Sequence, residues 1–511
     1  MTRLRMVSIV LAATLALAGC SSSGGDGGSS DAVGGSGGTL VVGVTSDPDT
    51  LFPWKATQFQ AVNVLGLLYG TLTELDKDLA TKPSIAEKWE YSDDAKTLTL
   101  HLRKDVTFAD GSALTSEDVK YSLETIKDEK TAAVAAASLA AVDTVEASDP
   151  QTVVLHLGAP DAGLVASLAS VNLAILKKGS TEAELTTKAN GTGPFTLGAR
   201  TPNQSMTLEA NEKYYGGAPK LDSVEFRVIP DETSVVAALQ SGDVQMATLD
   251  DPLVAKTAGG GNITIAKTPQ LSYHALQLKA STPPLDDVNV RLAIQCAIDR
   301  QQVIDTAAAG EGQVTGPITS PLYKSDPQAR PCPTRDVAKA KDYLAKSKHP
   351  NGVHLKTIVS QGEYATSVNE AQNLKSQLAE AGITLDLEVM EIGSFVDKWV
   401  AADFHAAVAL NGGRPDPDTM YGRYFTSKGN LNKVAGYHSA TLDQLFAKGK
   451  ATTDEAARKP IYADISKELE DQAVWIWLFT GNTYTAMTKG VSGFTPMPTG
   501  SLQYLRDASV K

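Results

Sequence analysis

An α/β fold spread over more than one domain is what this sequence predicts, and three features carry the expectation. A chain of 511 residues exceeds what one core usually organises, and 42% apolar residues suffice for a large interior. Within residues 354–389 a strand, a helix and a second strand follow one another, the pattern of a parallel crossover. Elsewhere, short runs alternate apolar and polar residues, as strands buried on one face do.

Folding is expected to begin at TLVVGV (Thr39–Val44), a strand. TLTLHL (Thr97–Leu102) alternates cleanly, and TVVLHL (Thr152–Leu157) and VEFRVI (Val224–Ile229) read alike. LTSEDVKYSLETI offers Thr115 as N-cap with Asp118 three residues on, close to a capping box, and sets Val119, Leu123 and Ile126 on one face. TSVVAALQSGD is a short helix from about Thr233 that stops at Gly242. In the crossover, HLKTIVS is a strand and ITLDLEV another. Between them SVNEAQNLKSQLAEAG is a helix with Val368, Leu374 and Leu378 on one side and Gly382 as its stop. DEAARKPIYADISKELEDQ reads as a helix interrupted or started at Pro460, and VWIWLFT (Val474–Thr480) as a buried strand. Proline and glycine punctuation puts breaks near NGTGPF (Asn190–Phe195) and STPPLDD (Ser281–Asp287).

The first residues point to export. Arg3 and Arg5 precede VSIVLAATLALAG, too short for a membrane span but suited to a secretory signal. Leu17-Ala18-Gly19-Cys20 resembles the lipobox of bacterial lipoproteins. That resemblance implies cleavage before Cys20 and acylation there, the alternative being an ordinary signal with an incidental cysteine. Ser21–Gly38 is nearly all Gly and Ser, a flexible tether with a reach on the order of 25 Å. The remaining cysteines, Cys296 and Cys332, meet oxidising conditions in an exported chain, so a disulfide is expected, with two buried thiols as the alternative.

Other classes find little support. Net charge is −13 with no basic run beyond pairs, which argues against a nucleic-acid partner. No apolar run after Cys20 approaches about 18 residues. The histidines at 101, 156, 274, 349, 354, 405 and 438 form no His-Glu-x-x-His. No C-x-x-C metal or redox pair is present, and no cofactor is expected. A formal G-x-S-x-G at Gly34–Gly38 sits in the tether, where no strand–helix elbow can hold a nucleophile. Without a Walker loop, any ATPase must be another chain. An enzyme is not the expectation.

Five stretches, in order, resemble the family 5 extracellular solute-binding proteins, the binding components of ABC importers for dipeptides, oligopeptides and nickel complexes. They are SIAEKWEYSDDAKTLTLHLRKDVTFADGSALTSEDVKYSLE (Ser84–Glu124), NGTGPFTL (Asn190–Leu197), LEANEKYYGGAPKLDSVEFRVIPDETSVVAALQSGDV (Leu208–Val244), PPLDDVNVRLAIQCAIDRQQVI (Pro283–Ile304) and GRPDPDTMYGRYFTS (Gly413–Ser427). The resemblance implies a periplasmic-binding-protein-like clamshell of two lobes around a cleft, with an additional N-terminal subdomain. Signal and tether at 1–19 and 20–38 would precede a first lobe gathered from 39–75, 191–280 and 485–511. The subdomain would be 76–190 and the second lobe 281–484. It further implies a monomer, lipid-anchored to the outer face of the cell membrane, that passes an extracellular solute, a peptide first of all, to permease subunits with separate ATPases. Signalling on binding a peptide, and non-peptide ligands such as oligosaccharides, opines or nickel chelates, stay open.

In peptide-binding relatives an aspartate of the second lobe anchors the ligand's free ammonium. The matching region is ALNGGRPDPDT (Ala409–Thr419), where the anchor position falls on Gly413 or, one residue on, Arg414. Neither is acidic. Arg414 offers a fork of donors to a carboxylate or phosphate, or else a salt bridge to Asp416 or Asp418. The binding candidates in this stretch are Asn411, Gly412, Gly413, Arg414 and Asp416. Trp54, Phe59, Tyr273 and Trp399 are the aromatic candidates, each with core packing as the alternative, and Trp475 and Trp477 read as core.

Overall fold

The computed structural model describes residues 37–361 and 366–511. Cys20, with the expected signal and nearly all of the tether, lies outside the described residues, as does the side chain of Phe59. Where the description begins, Gly37 N donates to the Lys220 carbonyl and Gly38 N to Asp222 Oδ2, so the chain is already tied to a sheet.

Thr39–Val44 is the centre of a seven-stranded sheet. It runs parallel to Ser223–Val228 on one side and Met246–Leu249 on the other. Ser205–Ala210 and Phe195–Thr201 extend one edge, and Asn482–Thr488 and Ile263–Pro269 the other. The helix Glu232–Ser241 is capped by Asp231, one residue earlier than Thr233 would suggest, and ends on Gly242 at φ +87°.

A six-stranded sheet follows. The expected crossover is its outer part: Val353–Gln361 pairs in parallel with Ile383–Glu391, and the helix Ser367–Ala379 connects them. Its centre is Tyr273–Leu278, antiparallel to both Ala406–Asn411 and Trp475–Thr480. Every residue of Tyr273–Leu278 is buried, so this strand shows no alternation. The sequence division grouped it with 191–280, and its hydrogen bonds lie in the six-stranded sheet.

A four-stranded antiparallel sheet, Ala86–Tyr91, Thr97–Leu102, Thr152–Leu157 and Val142–Asp149, carries the alternating runs. Leu98, Leu100, Val153 and Leu155 of this sheet share one core with Leu40, Val42, Phe195 and Met206 of the seven-stranded sheet. These two sheets therefore form one body. The helix Ser116–Lys127 closes that core with Val119, Leu123 and Ile126, and its capping box is formed, Thr115 N donating to Asp118 Oδ2 at 2.8 Å.

The six-stranded sheet has cores of its own on both faces. Leu276, Leu278 and Val408 pack on helix Val288–Ala297, which Cys296 joins to Cys332 in a disulfide with Cα atoms 5.0 Å apart. Ala275 and Ala409 face Trp475, Trp477, Phe425 and Tyr462. The helix Glu455–Asp471 runs through Pro460 without a break, because one missing N–H in a long helix packed by Ile461, Tyr462, Ile465 and Leu469 does not end it. This is the second body.

Candidate functional site

Chain direction decides what the two bodies present to each other. The chain leaves the first body after Ile263–Pro269 and enters the second at Tyr273–Leu278, then returns from Trp475–Thr480 to Asn482–Thr488 through Gly481. Gln270 N donates to the Gly481 carbonyl at 3.0 Å, so the two crossings run side by side. The registers put the carboxyl ends at Val44, Val228, Leu249 and Pro269 on one edge of the seven-stranded sheet. Tyr273 pairs with Asn411, so the carboxyl ends at Gln361, Glu391 and Asn411 lie on the edge of the six-stranded sheet where the crossing enters. Open α/β sheets bind ligands beyond the carboxyl ends of their strands, and here two sheets turn those ends toward one junction.

On the first body these ends border a small cavity of about 40 Å³, lined among others by Val44–Pro48, Glu232, Thr248 and Asp250. Its acids differ in state. Arg200 holds Asp47 at 2.8 Å. Glu232 accepts from the N–H groups of Asp250 and Asp251 at 2.8 and 3.1 Å. Burial pushes the Glu232 and Asp250 carboxyls above the usual range. Sequence reading passed over these residues. No motif marks them, only their place one to four residues after a strand.

On the second body, Asn411 stands within a chain of side-chain bonds. Trp399 Nε1 donates to Gln277 Oε1 at 2.6 Å, Gln277 Nε2 to Asn411 Oδ1 at 3.0 Å, and Asn411 Nδ2 to Tyr273 Oη at 3.3 Å. Three expected residues, Tyr273, Trp399 and Asn411, are thus brought together. Tyr273 is only 1% exposed, so its ring is core and its hydroxyl supports Asn411. Gly412 is open, whereas a Cβ on Gly413 would come within 1.9 Å of the Leu271 carbonyl oxygen. At Gly413, one of the two candidate anchor positions, the backbone therefore passes against the crossing strand and leaves no room for a side chain.

Arg414 is exposed, and it makes no salt bridge to Asp416 or Asp418. Arg458 takes both aspartates, at 2.7 and 3.3 Å. Asp416 is 3% exposed and also accepts from Asp418 N at 2.9 Å, so its role is structural. Trp54 is packed among core residues of the first body with Nε1 donating to the Ala174 carbonyl at 2.9 Å, and the structure does not bring it to the junction. Phe59 opens the helix Phe59–Leu68.

A profile of the bacterial extracellular solute-binding proteins, family 5 (middle region), matches residues 80–432. The chain belongs to that family. Among family 5 relatives, the glutathione-binding protein GsiB of Escherichia coli O6:K15:H31 (strain 536 / UPEC) is 27% identical over 487 residues, covering 90% of this chain and 92% of GsiB. The crystal structure of the ABC transporter substrate binding protein CtaP from Listeria monocytogenes matches with a TM-score of 0.81 at 25% identity, over 93% of this chain and 99% of CtaP. The binding protein AgaA of A. tumefaciens R10, in complex with agropinic acid, matches with a TM-score of 0.73 at 28% identity, over 93% and 99%. The two bodies are the two lobes of the family 5 fold, and the protein is a substrate-binding component of the kind ABC importers use.

The lobes of this family 5 protein also touch at a second place. Ala162 N donates to the Lys450 carbonyl at 2.9 Å. The Asp416 carboxylate lies against Gly163, where a Cβ would come within 2.9 Å of Asp416 Cγ. Asp161, beside them, is pushed up to about 6 by burial first and then by the charge of Asp416. Arg458 thus faces carboxylates contributed by both lobes.

Proposed function

We propose that this family 5 protein captures a peptide-like solute at the junction of its lobes and delivers it to a membrane permease powered by separate ATPase subunits. The observation that carries the reading is the convergence of carboxyl strand ends from both sheets on two adjacent crossings. Such crossings let lobes rotate about a few residues, and a ligand touching both lobes favours the joined state. The name of GsiB supports a peptide-like ligand, since glutathione is a tripeptide. The agropinic acid bound to AgaA favours a second reading, a small organic acid.

Titration of the mature protein with glutathione and a library of di- to pentapeptides, followed by tryptophan fluorescence and small-angle scattering, tests this. A saturable signal with a fall in radius of gyration is expected. A library that produces neither, while mass spectrometry of the purified protein finds no co-purified peptide, overturns the peptide reading. The anchor belongs to the same proposal: Cys20 carries the lipid and the protein works at the outer face of the membrane. Cys20→Ser should move it from the membrane fraction to the soluble extracytoplasmic fraction, and retention of the variant on membranes would count against lipidation.

A further inference from the structure

Every arginine among the described residues other than Arg414 and Arg423 holds a carboxylate or a carbonyl oxygen. Among the described residues these two hold neither. Arg414 follows Asn411 by three residues, just past the carboxyl end of a strand at the junction. Arg423 begins the short helix Arg423–Phe425, after a π-helical turn at Asp418–Gly422 that rests on the Asp416 backbone. Both charges reach the Tyr424 hydroxyl.

Among the described residues no carboxylate pairs with either arginine. The nearby aspartates, Asp416 and Asp418, are taken by Arg458. Arg423 lies with its guanidinium carbon 4.7 Å from the Tyr424 ring centroid, and its Nε is sealed from solvent without an acceptor. Tyr424 in turn meets Trp399 edge to face at 6.2 Å. A half-buried charge with an unsatisfied donor over an aromatic ring is a costly arrangement in an empty protein, and an incoming anion removes the cost. An arginine fork is also the group that matches a carboxylate or phosphate in two hydrogen bonds.

We infer that the solute carries an anionic group, a carboxylate or a phosphate, and that Arg414 and Arg423 together are its counter-charge. This rests on the solute-binding reading above and adds polarity to it: the second lobe grips the acidic end.

The test compares glutathione and trialanine with their carboxyl-amidated forms by calorimetric titration of the mature protein. In the wild type the acids are expected to bind about tenfold more tightly than the amides. Arg414→Gln and Arg423→Gln should remove that preference, and Arg423→Lys should keep part of it. Equal affinity for acid and amide in the wild type, or a preference that survives in the double Gln variant, overturns the inference. Should no peptide bind, the peptide reading fails separately, and succinate and phosphate decide the pair by thermal shift. Stabilisation by either anion in the wild type that is lost in Arg423→Gln supports it and says which anion is held, and no difference between the two proteins overturns it. Melting curves without ligand identify any variant that fails to fold, for which Arg414→Gln alone serves.

Discussion

At Gly413 the main chain passes so close to the Leu271 carbonyl that a single methyl group would collide with it. The restriction is steric, so even alanine forces the backbone of the loop or of the crossing strand to move. Gly413→Ala should cost about 1–3 kcal/mol in denaturant unfolding and weaken solute binding by displacing Arg414, whereas Gly412→Ala, which meets nothing within 4 Å, should do neither. Equal effects of the two substitutions would refute this account. The sequence showed that the anchor position lacks an acid, but it could not show why. Asp416 likewise stood as a replacement for the missing acid, or, in its proline-rich turn, as an acceptor for backbone N–H groups, and it does accept from Asp418 N. Its partner Arg458 stands on a helix 42 residues away, a distance across which no local pattern reports pairing. Arg423 lay inside a stretch already singled out, yet nothing in the letters distinguishes a guanidinium that holds no described carboxylate from one that does.

Elements with one solvent-facing side were legible, and elements without one were not. Thr97–Leu102 and Thr152–Leu157 alternate because their sheet rests on the core by one face. Tyr273–Leu278 and much of Ala406–Asn411 are buried on both faces, so the centre of the second sheet left no periodic trace. The crossover at 354–389 was readable because its helix and strands change period within a short span and Gly382, at φ +86°, marks the stop. The capping box was readable from four residues. Thr115→Ala removes its oxygen from the first turn of Ser116–Lys127 and should lower stability by about 1 kcal/mol, measured as a shift of denaturation midpoint at constant slope. Because Val119, Leu123 and Ile126 stay buried, the helix itself should persist in circular dichroism. A loss of helix signal would mean that the cap nucleates the element.

The arrangement of the molecule came from family resemblance alone, since no local signal tells that three distant segments make one lobe. Its behaviour with pH follows from the contact between lobes. Asp161 there faces Asp416, Lys450 and Arg458, with the Tyr91 hydroxyl donating to its carbonyl, and its carboxyl stands at about 6. When the lobes part it regains an ordinary value near 3.9, so the joined state binds the proton more tightly. That extra stability is complete below about pH 4 and is lost as pH rises through about 6. The joined fraction, followed by scattering, should therefore grow as pH falls from about 7 to about 5, and Asp161→Asn should flatten the slope. An unchanged slope in the variant would place the proton elsewhere. The side-by-side crossings have a consequence of another kind. A segment of more than two hundred residues departs and comes back at points one hydrogen bond apart, between Gln270 and Gly481. Such a segment is a plug-in module: severed at those two residues, its ends already adjoin, and it can be exchanged for the equivalent piece of a homologue without redirecting the host strands. Ligand preference written on that module would travel with it, which offers evolution and the protein engineer the same shortcut to a new cargo.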